Sequence, residues 1–535
     1  MAYAIDIETH DPNLKKLGSG EIRKDGRILC IGCYGEGECG HIDDVFAPDE
    51  PEIAAILATP DTKIFHNGVY DIPWIVLGHN LKLNGKIEDT MTREVLLNEY
   101  QDSYSLDDSC RRRGIEGKNY ADTVDAYWKS IGGKGKAIEH LAEMPIQKVA
   151  EYCRQDCKAT YELFYKQQPL IEQYDLQKVN DTEAALYPVL LEMKRNGIRI
   201  DVVKRDTLTY EYMNKAADLR QALEDEYGIT SINSTAQVGK LMHSLGFTSS
   251  VLTPAGAESW GDDVLENIDH PVAQQIREAK MYSKLYGTFL KGYFTEGAIG
   301  DRIHPTFYPS LRDAGGTITG RFSSRNPNLQ NIPADDRVNG GIIRSILIPE
   351  EDHILCAFDY KQIEYTLFIH YAIGPQAEQA REKIRGGMDY HAMAQHLMKW
   401  DTEERQKSLG LTKHDARKMT KNFNFGSIYG LTKNGFKFRF KKLLSQGADA
   451  TGVEFNVYSD RLYAEYFRML PFVRPTCMGM QQLCKSKGFM RSIGGRIHKT
   501  PQRTGLYAIV NYICQGGASD ILKAGLAKAS EDGIF

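Results

Sequence analysis

Asp6 and Glu8 stand two apart in a stretch that alternates like a strand, Ala4-Ile5-Asp6-Ile7-Glu8, so both carboxylates point to one face of it. Asn67 and Asp71 are four apart, and so are Tyr152 and Asp156, the spacing that places two side chains on one face of a helix. One such pair is ordinary on a solvated strand or helix. Four carboxylates brought together would repel one another, and two divalent cations ~3.5–4 Å apart relieve that repulsion. Such a cation pair activates water and stabilises the leaving oxygen of a phosphodiester.

A second group has another chemistry. Arg417, Lys421, Phe425 and Tyr429 recur every four residues in RKMTKNFNFGSIYG, which on a helix sets two cations and then two aromatic rings along one face. Cations meet a triphosphate, and a ring offers a stacking surface to its base. An amphipathic core helix with basic ends has the same spacing. Gly426 and Gly430 weaken a helix by ~1 kcal/mol each, a cost better explained where something must approach closely.

The elements that must position these residues follow from pattern. The start reads as a strand, residues 27–34 as a second, and mixed α/β patterning continues to about residue 170. Residues 170–295 read as helical, with a stop at Asn196-Gly197 and loops where Gly and Pro gather at 253–262 and 292–300. Ile354 to Phe358 reads as a strand among long helices. With 535 residues, 42% hydrophobic and 26% charged, the chain has length for several cores, which excludes collagen-like, disordered and disulfide-scaffold classes. Its apolar runs fall far short of the ~20 residues that span a bilayer, and MAYAIDIETH is no secretory signal. Ten scattered cysteines fit a reducing compartment, and Cys30 and Cys33 read as buried strand residues rather than half of a zinc site. The net charge of −5 is unevenly spread: residues 1–170 hold 20 Lys and Arg against 29 Asp and Glu, whereas residues 381–450 hold 15 against 7. An acidic, metal-seeking region and a basic, anion-meeting one are the expectation, two solvated surfaces of opposite sign the plainer alternative.

The order D-x-E, N-x3-D, Y-x3-D resembles the 3′–5′ proofreading exonucleases of the ribonuclease-H-like fold, as do Asp89-Thr90-Met91 and Tyr104-Ser105-Leu106 between the later sites. The resemblance implies that Asp6, Glu8, Asp71 and Asp156 hold or organise metal, that Tyr152 positions the attacking water and that Asn67 bonds near the site.

R-x3-K-x3-F-G-x2-Y-G resembles motif B of family A DNA polymerases, the bacterial polymerase I type. TGRFSSRNPNLQNIP at 319–333, Asp359-Tyr-Lys-Gln-Ile-Glu364 (motif A), Asp389-Tyr-His391 and Asn511 with Gln515-Gly-Gly-Ala-Ser-Asp520 are similar to that family's other landmarks, in its order. The implied fold is multidomain α/β and α+β: an exonuclease domain at 1–170, then a right hand with linker helix and thumb at 171–300, first palm part at 301–375, fingers at 376–490 and second palm part at 491–535. Asp359 would hold both magnesium ions; Arg417, Lys421 and His391 would bind the triphosphate, Lys421 giving a proton to pyrophosphate. Phe425 and Tyr429 would bracket the nascent base pair, and Glu364 would exclude ribonucleotides at the sugar 2′ position. Arg321, Gln330 and Gln515 would read minor-groove acceptors beside Asn511, and the thumb, with Asn233-Ser-Thr-Ala-Gln-Val238, would grip duplex.

The chain departs from the family at Lys361, where a small residue is usual, and at Tyr365-Thr366, where Leu-Arg is usual. Phe425 in place of Tyr implies discrimination against dideoxynucleotides. The start leaves no room for a 5′-nuclease and the thumb has no long insertion, both suiting a phage replicative enzyme in the cytoplasm of a bacterial host. The His-Asp-Glu turn of motif C is absent: His414-Asp415 lies before motif B and the sequence stops at Phe535. Truncation is the preferred reading of that gap, over completion by a second polypeptide or loss of polymerisation. The expectation is therefore a monomeric DNA polymerase with proofreading, taking primer-template DNA and dNTPs, with two Mg²⁺ per site (Mn²⁺ as substitute) and replisome proteins as further partners. Its rivals are a DNA-trimming exonuclease with an inactive gripping half and a non-catalytic primer-template binder.

Overall fold

A computed structural model describes every residue except 116–119, 254, 311–312, 314, 335–338, 503 and 535. The N-terminal region is built on a five-stranded sheet in the order β3-β2-β1-β4-β5, with β1 Ala2–His10, β2 Arg27–Gly37, β3 Gly40–Phe46, β4 Thr62–Phe65 and β5 Ile87–Asp89. The central strand β1 runs antiparallel to β2 and parallel to β4. Tyr3, Ile5 and Ile7 point into one core with Ile31 and Cys33. Ala2, Ala4, Asp6 and Glu8 therefore share the opposite face, on which the helix Ile146–Gln173 lies. That helix buries a stripe at helical spacing, Val149, Cys153, Asp156, Cys157, Thr160 and Leu163, in which the one carboxylate is a site residue.

The helices Gln177–Ala184 and Leu186–Asn196 lead out of this region, and Gly197, at φ 56°, ends the second where the sequence places a stop. Val202–Tyr227 and Pro271–Lys284 pack together in the helical part that follows. The helical backbone runs on to Glu296, so the expected loop at 292–300 is only a turn between that end and the hairpin strands Ala298–Ile299 and Arg302–Ile303. Those strands join Ile198–Ile200 and Leu347–Ile348 in a small sheet. A helical unit with Lys413–Ile428, Phe455–Met469 and Val473–Lys487 surrounds a core of Phe423, Phe436, Tyr466 and Trp400. The hairpin Phe489–Arg491/Ile497–Lys499 and the helix Ala508–Glu531 complete the described chain.

One expected strand is missing. Residues 353–360 are neither helix nor strand, and Ile354 and Phe358 are 82% and 95% exposed. A strand is held by a ladder to a neighbour, and no described strand pairs with this segment, so its apolar pattern finds no core.

No helix among the described residues is long and apolar enough to cross a membrane.

A buried ionic cluster ties the helix Gln177–Ala184 to the C-terminal hairpin and helix. Glu183 accepts from both Arg496 and Lys523, Arg496 Nε lies 3.0 Å from Asp520 Oδ1, and Lys523 also donates to the Pro309 carbonyl at 2.6 Å. All four side chains are buried, and burial pulls the Lys523 ammonium down to about 8. Glu99 accepts from the Lys499 amide at 2.6 Å and Asp313 from the Tyr104 amide at 2.6 Å, fastening the same junction.

Candidate active sites

The first site forms where the helix 146–173 crosses the even face of β1. Asp6 faces Gly32 and Glu8 faces Cys30 across the antiparallel ladder, and the register shifts between Glu8 and Thr9, where the strand ends its carboxylate pair. Tyr152 and Asp156 come from one face of the helix, and their side chains are hydrogen-bonded to each other. Asp71 sits in the short helix Gly68–Pro73 and accepts from the Ile7 backbone amide, which brings it against β1. Asn67 stands before that helix at φ 72°, so it turns the chain rather than sharing a helical face with Asp71.

Glu8 is 7% exposed, and no hydrogen-bond donor or cation meets its carboxylate among the described residues. Burial first, then Asp6, Asp156, Cys30 and Asp71, raise its carboxyl well above the ordinary range. Asp71 is raised too, by burial and then by Asp89. Burial and the charges of Asp156, Glu8 and Asp6 push the Tyr152 phenol up as well. A buried carboxylate facing Asp6, Asp156 and Asp71 fits a bound cation: the donor set suits a hard, oxygen-seeking ion such as Mg²⁺, which Asp6, Glu8 and Asp156 would hold. The oxygens of Asp6 and Glu8 lie within 4.8 Å of each other and of the Cys153 sulfur.

Asp89 does more than its place in the sequence suggests. Its carboxylate accepts from the Gly68 amide at 2.7 Å and caps the helix Thr90–Leu97 through the Thr92 amide at 3.0 Å, which fixes the turn that carries Asp71. His66 links Thr90 Oγ1 (2.8 Å) and the Tyr104 carbonyl (2.9 Å), so both flanking sequence elements brace the site.

The second site centres on the helix Lys413–Ile428, N-capped by Thr412. Arg417 and Lys421 are exposed on it, Phe425 is half-buried, and Tyr429 is the residue at its end. His391 meets this helix: the Asn424 amide donates to its Nδ1 at 2.9 Å, which leaves the proton on Nε2. Tyr466 donates to Asn424 Oδ1 at 2.8 Å and accepts from Ser427 at 2.9 Å, fixing the amide. Burial, aided by Lys421 and Arg417 against the opposing pull of Asp389, lowers His391 to about 4, so it is neutral at pH 7. Sequence reasoning missed Asn424 and Tyr466, which fix the His391 ring.

Tyr365, a departure from the family pattern, stacks on Tyr390 (4.8 Å, 15°) and sets its edge toward His391 (4.7 Å) and Phe425 (5.0 Å). Glu364 accepts from both the Tyr429 hydroxyl and the Arg321 guanidinium. Gln330 donates to the Phe322 carbonyl at 3.1 Å, and Asn511 and Gln515 are half-buried on one face of the C-terminal helix. Gln362, at φ 53°, joins Asp389 and the Tyr390 amide, and Lys361 reaches the Gly387 carbonyl at 3.3 Å.

Asp359 is apart from this assembly. It is exposed, makes no hydrogen bond or ion pair, and belongs to no cluster of three ligating side chains among the described residues. Its surroundings do not fit a pair of metal ions. The strand-end position expected for it is corrected by the absence of a ladder at 353–360.

A mixed sheet crossed by a carboxylate-bearing helix is joined to a largely helical unit with a cationic helix face, a two-part architecture of one acidic and one basic site. The sequence profile of DNA polymerase family A matches residues 204–533 and that of a 3′–5′ exonuclease matches residues 3–172. The chain belongs to DNA polymerase family A, with an N-terminal 3′–5′ exonuclease domain. It is 28% identical over 446 residues to the DNA polymerase I of a Synechocystis species, covering 81% of this chain and 41% of that one. It is 25% identical over 596 residues to the DNA-directed DNA polymerase of Pseudomonas phage M6, covering 99% and 86%. The fold matches the POL domain of Pol1 from M. smegmatis, solved in complex with DNA primer-template and dNTP, with a TM-score of 0.73 at 19% identity over 99% of this chain and 85% of that one.

Proposed function

We propose that the chain acts on primer-template DNA, removing nucleotides from 3′ ends at the carboxylate site of β1 and presenting dNTPs to a templating base at the 413–428 helix for DNA synthesis. The family supports this reading, as does the DNA- and dNTP-bound state of the similar Pol1 structure. The observation that carries it is Glu8, a buried carboxylate with Asp6, Asp156 and Asp71 acting on it and Tyr152 beside them.

At the first site, divalent cations when bound would activate water and offset the charge that develops on the leaving 3′ oxygen. Asp6, Glu8 and Asp156 would hold them from the strand and the helix, and Asp71, buried against β1 through the Ile7 amide, would organise that set from its braced turn. Tyr152, bonded to Asp156, orients water toward the phosphorus. At the second site Arg417 and Lys421 attract the triphosphate, and His391, neutral with its proton on Nε2, donates a hydrogen bond to it. Phe425, held against Tyr365, gives the base a flat surface, and Glu364, fixed by Tyr429 and Arg321, closes the space beside the sugar 2′ carbon.

The test is degradation of a 3′-labelled primer in Mg²⁺ without dNTPs, and extension with them. Mg²⁺-dependent shortening that vanishes in Asp6→Asn/Glu8→Gln is the expected result; no shortening by the unaltered chain overturns it. A second reading, trimming without synthesis, is favoured by the exposed, unpartnered Asp359. For the 535-residue chain it gives robust degradation with weak or absent extension, and strong extension would remove it.

A further inference from the structure

The buried ionic cluster at the junction does no chemistry in the reactions above, yet residues 319–322, which carry Arg321, are packed on it. Gly320 is buried at φ 75°, and a Cβ there would lie 2.8 Å from both Cζ and Nε of Arg496. The Arg496 guanidinium therefore lies against the Gly320 backbone, an approach only glycine permits. Lys523 Nζ stands 5.3 Å from the centre of the Phe322 ring, a cation over an aromatic face. Three successive carbonyls of the segment are held as well. Gly320 accepts from the Ser519 hydroxyl at 2.6 Å, Arg321 from Thr317 at 3.0 Å and Phe322 from Gln330 at 3.1 Å. Both neighbours of Arg321 are thus fixed from beneath, and its side chain runs outward to Glu364.

We propose that Glu183 is a positioning residue for sugar selection: it fixes Arg496 and Lys523, these fix residues 319–322, and Arg321 thereby fixes Glu364. The proposal rests on the reading of Glu364 as the group beside the sugar 2′ carbon and adds to it a control from outside the nucleotide site. Glu183 accepts from Arg496 and, at 2.6 Å, from Lys523, and it lies on the helix Gln177–Ala184 that leads out of the exonuclease domain. Within the cluster Glu183 and Asp520 balance Arg496 and Lys523. Removing the Glu183 charge leaves two buried cations to one carboxylate, and like charges repel strongly in a dry site. Arg496 keeps Asp520 and Lys523 keeps the Pro309 carbonyl. The two cations then part, and the segment resting on both moves with them. Glu364 keeps the Tyr429 hydroxyl but loses a fixed Arg321, and the wall beside the 2′ carbon slackens.

The test is nucleotide binding by the full chain on a primer-template whose primer ends in a dideoxynucleotide, so that no extension occurs. The parent carries Asp6→Asn/Glu8→Gln, so that the primer is not shortened. The readout is the ratio of the dissociation constants of the ribonucleoside triphosphate and the dNTP that pair with the same template base. A variant that is merely less stable lowers both affinities alike and leaves this ratio unchanged. Glu183→Gln is expected to lower the ratio about tenfold, the worth of one hydrogen bond to a charged group. Ser519→Ala removes one hydroxyl from beneath Gly320, leaves the cluster whole and is expected to lower the ratio about threefold. In an Arg321→Ala background Glu183→Gln is expected to add nothing, because its effect runs through Arg321. Ratios within about twofold of the parent in both single variants overturn the proposal, and so do additive effects of Glu183→Gln and Arg321→Ala. Where Glu183→Gln does not fold, Ser519→Ala alone decides. A parent that binds the dNTP no better than the ribonucleotide sinks the reading of Glu364 itself; a parent that discriminates, with variants that match it, sinks this proposal alone.

Discussion

The two candidate sites carry acidic residues on opposite kinds of support. Asp6 and Glu8 lie on the central strand of a sheet, laddered to β2 at both residues and covered by a helix that brings Asp156 to them. Asp359 lies on an extended segment with no ladder, its apolar neighbours in solvent. The contrast teaches that a motif with the right residues gathers its carboxylates into one pocket only when the flanking backbone is held. The residues proposed to face the nucleotide belong with the first kind: His391, Phe425 and Glu364 are fixed by Asn424, Tyr365 and Tyr429.

The sharpest way to break this comparison is to remove ligands from the supported site. Asp6→Asn/Glu8→Gln should cost about 10³-fold in primer shortening, roughly 4 kcal/mol of barrier, measured by single-turnover decay of a labelled primer. A loss under tenfold would mean that these carboxylates are bystanders. Next in size is the junction. Glu183→Gln leaves Arg496 and Lys523 buried without their shared anion and should destabilise the chain by about 3 kcal/mol in urea unfolding. An unchanged midpoint would mean that the two halves stand independently of this cluster. Tyr429→Phe removes a hydroxyl that donates to a carboxylate, a loss of about 1.5–3 kcal/mol. It leaves Glu364 held by Arg321 alone, so competition binding should show weaker discrimination between dNTPs and ribonucleotides.

The smallest effect sharpens the comparison through pH. Glu8 and Asp71 hold their protons to higher pH folded than unfolded, so the metal-free protein loses stability as pH rises through their raised folded values. His391 has the reverse sign: its folded value of about 4 lies below the ordinary one, so its contribution is present above pH ~6.5 and is lost as pH falls toward 4. Melting temperature in EDTA should fall as pH rises above the ordinary carboxylate range toward their raised folded values, and Mg²⁺ should reverse that fall. A flat profile would place the carboxylates in water.

Much of this was legible in the chain itself. Alternation set Asp6 and Glu8 on one face, four-residue spacing set Tyr152 with Asp156 and Arg417 with Lys421, and Asn196-Gly197 marked a helix end, because side-chain direction follows locally from backbone period. Asn67 and Asp71 misled on this count, since a left-handed residue precedes the helix. Ile354 to Phe358 misled for a different reason: an apolar run states that a strand could pair and not that a partner is in reach.

What the sequence alone determined is therefore the local order: which residues share a face, where elements start and stop, and which family these motifs resemble. Only the tertiary structure decided that Cys153 lies beside Asp6 and Glu8, that Asp89 braces Asp71, that Tyr365 supports Phe425, and that Glu183 joins Arg496 and Lys523 from more than 300 residues away in the chain. Those relations depend on packing and burial between distant segments, where desolvation turns proximity into energy, and no local period encodes them.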